Sequence, residues 1–147
     1  MRFVFDIKLP SQNEIINMSM GQKRRYSPYG HAKGPIEKLL VAQIKEQLRE
    51  QKCEGFKIEE KVFFLFTWTS SNKRTDPDNR MAGQKFVFDA LVKAGLMKTD
   101  GHKYALGIYH HLKYGNVDKV DVLVGERQKV MSAVDRESQK IEEAATW

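Results

Sequence analysis

The chain has little cysteine and no long apolar run. Cys53 is the only cysteine among 147 residues, so no intramolecular disulfide can form and the paired cysteines of a zinc ribbon are missing. No apolar stretch approaches the ~20 residues that a membrane-spanning helix needs, and the N-terminus lacks the apolar region of a secretory signal. These absences predict a cytoplasmic protein without a membrane partner.

Acidic residues are in the minority. The chain carries 25 Lys and Arg against 19 Asp and Glu, a formal net charge of +6. Hydrophobic residues make up 41% and charged residues 30%, which is typical of a folded globular domain rather than a disordered chain. The basic excess favours a polyanionic partner such as a nucleic acid, although many basic proteins bind none.

Hydrophobic periodicity predicts an α+β fold with a small mixed sheet of about four strands, two main helices and a C-terminal helical tail. The predicted strands are 1–9, 57–69, 104–114 and 117–124, and the predicted helices are 36–51, about 80–94 and 126–145. The run from Val62 to Phe66 is apolar throughout, which is typical of a central strand. Gly115 and Asn116 predict a hairpin between the last two strands. The tail could pack on the domain, pack on a second subunit, or fray.

The most unusual segment contains Asp76, Pro77 and Asp78, directly after the second strand. Proline fixes its own φ and pushes the residue before it toward extended geometry, so this link cannot be ordinary helix interior. We expect an extended link in which both carboxylates converge on one point. Asp78 or Asn79 would then cap the helix, and Asp100 would return beside the pair after the helix ends. Three carboxylates predict a site for a hard cation such as Mg²⁺. The alternative is structural, with the same residues serving only as helix cap, turn former and loop residue.

Lys85 follows Asp78 by about two helical turns, which would place it on the same face as the carboxylates. It also stands four residues before Asp89, so an ion pair within the helix is the simpler explanation of both residues. His110 and His111 are adjacent in a predicted strand and should point to opposite faces, which argues against a shared metal.

A basic stretch with interleaved tyrosines precedes the first helix. It includes Lys23, Arg24, Arg25 and Lys33, together with Tyr26 and Tyr29. Such a stretch could grip a phosphate backbone and stack on bases. A solvated loop without function would have the same composition, and the segment by itself does not separate the two interpretations.

Several of these segments together resemble the RusA-like Holliday junction resolvases, in their phage-type branch. The resemblance extends over roughly residues 3 to 124, and the segments that carry it are Leu9–Glu14, Asp76–Asn79, Lys85–Leu91, Ala94–Gly95 and Thr99–Gly101. It implies a RusA-like nuclease domain over residues 1–125, with residues 126–147 as a C-terminal helical extension. The order and spacing of these segments make the signature more specific than the Asp-Pro-Asp-Asn motif by itself.

The resemblance also implies a set of roles. Asp76, Asp78 and Asp100 would be the metal-binding catalytic carboxylates, and Lys85 the catalytic lysine. The cofactor would be Mg²⁺, with Mn²⁺ as a possible substitute, and the protein would act as a symmetric homodimer on a four-way DNA junction. Basic residues would hold the junction arms: Lys23, Arg24, Arg25, Lys33, Lys73 and Arg74.

The expected function is therefore that of a structure-specific endodeoxyribonuclease that resolves four-way junctions by paired symmetric nicks. One alternative is a related nuclease that cuts flaps or branched replication intermediates. Another is a DNA-binding protein without catalytic activity, which the presence of all the carboxylates and of Lys85 disfavours.

Overall fold

The computed structural model describes residues 1–11, 14–15, 28–74, 76–99 and 103–145, with the backbone alone for residues 28–32. The elements in chain order are β1 (Arg2–Phe5), α1 (Pro28–Glu50), β2 (Val62–Ser70), α2 (Pro77–Met81), α3 (Gln84–Lys93), β3 (Ala105–Tyr114), β4 (Lys119–Gly125) and α4 (Arg127–Ala144). They confirm the predicted α+β fold with a four-stranded mixed sheet and a C-terminal helix. No helix in these ranges is both long enough and apolar enough to cross a membrane.

The chain forms two compact units. The first, here called the sheet unit, comprises Met1–Ile7, Ile58–Lys73 and Gly101–Trp147. The second, the helical unit, comprises Lys8–Lys57 and Arg74–Asp100. The first therefore contains all four strands and α4, whereas the second contains α1, α2 and α3.

The sheet has the strand order β1-β4-β2-β3. Strand β2 runs parallel to β3 and antiparallel to β4, and β4 is antiparallel to β1. The predicted hairpin between β3 and β4 is therefore wrong, because β2 lies between them. The predicted central position of β2 is confirmed. Its core from Phe64 to Trp68 is buried, which is typical of an inner strand whose side chains are covered on both faces.

Helix α4 covers one face of this sheet. Val130 and Ala133 are buried in a cluster with Leu65 of β2, and Val134 packs against the same cluster. Their spacing places these side chains on one stripe of the helix, which is the pattern of an amphipathic helix that docks on a core. Of the three outcomes left open for the tail, the helix adopts packing on its own sheet.

A tryptophan of β2 and two histidines of β3 form side-chain contacts within the sheet unit. Trp68 Nε1 donates a hydrogen bond of 2.9 Å to His110 Nδ1, and the His110 ring stacks on Phe66 at a centroid distance of 5.4 Å. His111, the next residue, instead contacts the hydroxyl of Ser138 on α4, with 3.0 Å between Nε2 and Oγ. The two histidines thus serve different faces of the sheet, as predicted, and do not share a site.

Helices α1 and α3 pack together in the helical unit. Lys33 Nζ lies 3.1 Å from Asp89 Oδ2, and Lys93 Nζ lies 3.3 Å from Glu37 Oε1. From the first pair to the second, both helices advance by four residues toward their C-termini. The two helices therefore run in the same general direction where they pack. Helix α1 starts earlier than the predicted residue 36 and contains Pro35 in its interior.

Gly95 ends α3, close to the predicted end of this helix at residue 94. The glycine has a φ of +85°, in the left-handed region that residues with a Cβ adopt at a cost. Its N–H donates to the Val92 carbonyl at 3.0 Å, and the Leu96 N–H donates to the Leu91 carbonyl at 3.0 Å. These two bonds form a Schellman motif, which satisfies the last carbonyls of the helix. Because of this turn, the chain leaves α3 abruptly before Thr99 and Asp100.

Candidate functional site

The acidic segment forms the start of α2. Asp76 is the N-cap residue, with φ −62° and ψ 149°, and Pro77 occupies the first helical turn. The backbone carbonyls of Asp76 and Asp78 accept hydrogen bonds from Arg80 and Ala82, at 3.2 and 3.3 Å. The cap was predicted two or three residues later, at Asp78 or Asn79, and that prediction is wrong. Proline lacks an N–H and has a φ close to the helical value, so it suits the first helical position better than a position before the helix.

Both carboxylates of this segment are exposed. Asp76 holds the N-cap position, yet its side chain makes no capping hydrogen bond. Among the described residues, no cation forms an ion pair with Asp76 or Asp78. The structural alternative made Asp78 the helix cap and Asp76 a turn former. Asp78 lies within the first turn and does not cap the helix, and Asp76 occupies the N-cap position without a capping bond from its side chain. Two ionised carboxylates two residues apart, without protein partners, are oxygen ligands of the type that hard divalent cations prefer.

The helix predicted from about Arg80 to Ala94 is two helices. Helix α2 ends at Met81, and α3 begins at Gln84 with Gly83 as its N-cap. The Phe86 N–H donates to the Gly83 carbonyl at 3.1 Å, so the path of the chain is helix-like but interrupted. Asp78 and Lys85 are therefore not separated by two turns of one regular helix. Their spacing in the sequence does not place them on one helical face.

Lys85 is exposed at the start of α3. The simpler explanation for this residue was an ion pair with Asp89, one turn later. Asp89 instead pairs with Lys33 of α1, and Lys85 forms no ion pair within the described part of the chain. The neighbouring faces of α3 bury apolar side chains, so the ammonium of Lys85 projects from the solvent side of a well-anchored helix.

The remaining predicted site residues differ in whether the structure describes them, in their exposure and in their ion pairs. Asp100, Lys23, Arg24 and Arg25 lie outside the described residues. Lys73 and Arg74 are exposed, as a role in binding DNA requires. Lys33 is engaged with Asp89, with 30% of its side chain exposed. Within the described ranges, no group of three or more His, Cys, Asp or Glu residues is placed to hold a metal. The predicted set of Asp76, Asp78 and Asp100 is not tested by this finding, because Asp100 lies outside those ranges.

Sequence reasoning missed a second concentration of charge, in the sheet unit. Six cationic side chains line a cavity of about 350 Å³ between the sheet and α4: Arg2, Lys113, Lys119, Lys129, Arg136 and Lys140. We call this cavity the cationic groove. The residues are scattered along the sequence, and the predicted hairpin gave the wrong neighbours for β3 and β4. One signal was available, since Lys129, Arg136 and Lys140 recur at helical spacing on one side of α4.

The comparisons with known proteins assign no function. No model of a known protein family matches the chain, and no curated protein matches it.

Proposed function

We propose that the protein is a metal-dependent endodeoxyribonuclease of the RusA-like type that acts on four-way DNA junctions. One observation carries the proposal. Asp76 and Asp78 are exposed carboxylates at the start of α2, and neither a capping hydrogen bond nor an ion pair among the described residues accounts for them. Exposed carboxylates that form neither a capping hydrogen bond nor an ion pair in the described structure are candidates for chemistry.

The residues present fit a magnesium or manganese ion. Mg²⁺ retains several of its waters and needs only one or two carboxylates from a protein, with substrate phosphate oxygens completing the shell. Asp76 and Asp78 supply that minimum, and Asp100 would add a third carboxylate. Cys53 and the four histidines have no part in this ligand set, which contains oxygen ligands only and so favours Mg²⁺ or Mn²⁺ over zinc.

The chemistry follows from the charge of the substrate. A phosphodiester is an anion, and the transition state of its hydrolysis carries additional negative charge. A bound divalent ion would supply a nucleophilic hydroxide at neutral pH and polarise a phosphoryl oxygen. Asp76 and Asp78 would hold the ion, and Lys85 would add a cation from α3 to bind a non-bridging oxygen of the scissile phosphate. Removing one such preorganised contact commonly costs ~10²–10³ in rate.

The proposed partner is branched DNA, bound by a symmetric homodimer. A four-way junction presents related strands in a twofold arrangement, and two identical sites related by a twofold axis match that symmetry. The basic side chains Lys73 and Arg74 precede the site directly and would contact phosphates without reading sequence. A DNA substrate would place the protein in the cytoplasm, that of the host if a phage encodes it.

The test is cleavage of a synthetic four-way junction. With Mg²⁺ or Mn²⁺ the protein should introduce paired nicks at symmetric positions, and chelation should abolish them. Calorimetric titration with Mn²⁺ should show binding that Asp76→Asn weakens by at least ~10-fold, because one of a few ligands is lost. Asp135→Asn is the matched control, since Asp135 is an exposed carboxylate on α4 with no proposed role.

Two outcomes would contradict the proposal, and a third would change its metal-ligand set. Equal cleavage of flaps, duplexes and junctions would favour a nuclease of broader or different substrate. Tight junction binding with no cleavage in either metal would favour a DNA-binding protein without catalysis. Equal Mn²⁺ affinity in Asp76→Asn and Asp135→Asn would remove Asp76 from the ligand set.

A further inference from the structure

The sheet face that α4 covers is apolar at one end and polar at the other. Near the start of α4 the face is apolar, and Val130, Ala133 and Val134 pack on Leu65 and its neighbours. Two and four residues beyond Leu65 on β2, the same face presents Thr67 and Thr69, which line the cationic groove. Apolar packing therefore anchors the first half of α4, and its second half passes over a polar floor.

The register of the strands concentrates lysines on this floor. Thr69 pairs with Lys113 on β3 and with Lys119 on β4, so the two lysines flank the threonine from opposite sides of one row. Side chains in one row of a sheet point to the same face. Thr69 Oγ1 is itself buried without a hydrogen-bond partner among the described residues, which in native structures calls for a ligand or an ordered water.

The two carboxylates of the groove are already matched by cations. Asp121 accepts hydrogen bonds from Arg2 Nε at 3.0 and 2.9 Å, and pairs with the terminal guanidinium nitrogen as well. Glu137 accepts a hydrogen bond of 3.0 Å from Lys140 Nζ. Within the described ranges, no carboxylate forms an ion pair with Lys119, Lys129 or Arg136, which also line the groove.

The cations of the groove also lower the pKa of the Glu137 carboxyl group. The hydrogen bond from Lys140 lowers the pKa of this carboxyl, burial opposes the effect, and attraction to Lys140, Lys113 and Arg2 lowers the pKa further. An anion in the groove therefore experiences several cations at once, in a concave surface that restricts solvent screening. Like charges that converge without counterions destabilise a fold, unless a ligand of opposite sign offsets their repulsion.

We infer that the cationic groove binds the phosphate groups of a DNA strand, so that α4 and the sheet together form a second contact surface for the nucleic acid. A DNA strand is the occupant that fits, because its successive phosphates can contact several of the six cations, whereas a single phosphate group would offset only part of their excess over two carboxylates. The inference rests on the proposed function in that it takes DNA as the polyanion. It assigns to the C-terminal helix a role in holding substrate that the acidic site does not require.

The groove is tested by neutralising lysines without altering the acidic site. The groove variant carries Lys119→Gln and Lys129→Gln, and the control carries Lys8→Gln and Lys61→Gln, two exposed lysines outside the groove. Both changes remove the same charge. The affinity for a four-way junction, measured by fluorescence anisotropy, should fall roughly 10-fold in the groove variant and less than about 3-fold in the control. The slope of log K against log salt should become shallower by about 2 in the groove variant, because two phosphate contacts are lost.

Thermal unfolding of both variants checks that they are folded. Neutralising converging lysines relieves repulsion, so the groove variant should unfold at or above the wild-type temperature. Arg136→Gln, on the exposed side of α4, is a second variant that leaves the sheet unchanged and should give about half the change in salt slope. Equal affinities and equal salt slopes in groove variant and control would overturn the inference.

Two further results separate this inference from the proposed function. If the groove variant binds like the control while the wild type cuts junctions, the inference fails and the nuclease stands. If the wild type never cuts but the groove variant alone loses DNA affinity, the inference stands and the nuclease fails. Calorimetry with tripolyphosphate distinguishes the source of the phosphate. Binding of tripolyphosphate that is lost in the groove variant, with DNA affinity equal to the control, would overturn DNA as the occupant.

Discussion

Asp121 and Asp76 are two carboxylates of one chain that have opposite surroundings. Asp121 is 9% exposed in the sheet unit and is held by the guanidinium of Arg2 through several hydrogen bonds. Asp76 is exposed at the start of α2 and has neither a capping hydrogen bond nor an ion pair among the described residues. The first carboxylate links β4 to β1, whereas the second contributes no described contact to the fold. Removing the first should cost stability, and removing the second should cost activity.

The same contrast applies to cations. Lys93 pairs with Glu37 and links α3 to α1, while Lys85 on the same helix is exposed without an ion pair in the described ranges. Protein charges that are used for folding are matched locally, because an unmatched charge gains more from water than from the protein. Charges left unmatched at a fixed position are those available to a ligand.

The largest expected effect is on catalysis at the acidic site. Asp78→Asn should lower junction cleavage with Mg²⁺ by about 10³-fold, because the substitution removes a ligand charge at the metal. The free energy of unfolding should change by no more than about 0.5 kcal/mol, as for other exposed substitutions. Single-turnover cleavage and urea denaturation measure the two quantities. A loss of stability comparable to that of Asp121→Asn would show that Asp78 is structural.

A smaller effect on catalysis is expected at Lys85. Lys85→Gln should slow cleavage by about 10²-fold, because it removes one electrostatic contact to the phosphate and leaves the metal ligands intact. Lys93→Gln is the matched control on α3 and should leave the cleavage rate within about 2-fold. Its cost should appear instead as a few tenths of a kcal/mol in stability, since the Lys93 end of its ion pair is 66% exposed and such pairs contribute little. Equal rates in the two variants would refute the role of Lys85.

Asp121→Asn should lower stability by about 1–2 kcal/mol without lowering the cleavage rate of the folded protein. The change weakens charged hydrogen bonds to Arg2. The figure is reduced for solvent screening because the Arg2 side chain is 64% exposed. Chemical denaturation gives the free energy. Cleavage at a temperature well below the transition gives the rate, and a rate loss matching that of Asp78→Asn would contradict the separation of roles.

The smallest effect concerns pH and the sheet unit alone. Burial lowers the pKa of His110 below its usual value of 6.5, and its Nδ1 accepts the Trp68 hydrogen bond, which a proton on that nitrogen would break. The unfolded chain therefore binds more protons than the folded one, so stability is full above about pH 6.5 and decreases as pH falls toward the lowered pKa. Burial also lowers the pKa of His111, which adds to the same trend. Urea denaturation between pH 5 and 8 should show a decrease of about 1 kcal/mol or less, and His110→Gln should show a smaller dependence on pH. A pH dependence unchanged in His110→Gln would refute the assignment.

Much of the fold was predictable because local patterns determined it. The apolar run in β2, the stripe of Val130 and Val134 on α4, and Gly95 after α3 all depend on nearest neighbours or on one face of one element. The predictions that were wrong concern places where contacts between distant segments, or a second local preference, decided the structure. Pro35 is typical of a helix start, but α1 begins earlier and includes it. Gly115 and Asn116 favour a hairpin, but β2 takes the position between β3 and β4.

The candidate site was predicted in composition and not in geometry. Asp76 and Asp78 were identified from the proline between them, and their exposure agrees with a ligand role. Their position relative to the helix was not predicted, because Pro77 shifts the helix start to itself and Ala82 and Gly83 divide the expected helix. The groove residues were not found at all, since Lys113 and Lys119 come together only through their common neighbour Thr69 on β2.

The sequence by itself determined the fold class, the acidic segment around Pro77 and the basic excess of the chain. These depend on side-chain periodicity, on the restricted dihedral angles of proline and on composition, none of which needs a partner segment. Only the tertiary structure decided which charges are matched. It paired Arg2 with Asp121 and Lys33 with Asp89, left Asp76 and Asp78 exposed without such partners in the described chain, and gathered lysines of separate strands and a helix around one groove. Charge matching acts over a few ångströms in space, and residues far apart in sequence reach that distance only after the strands and helices have packed.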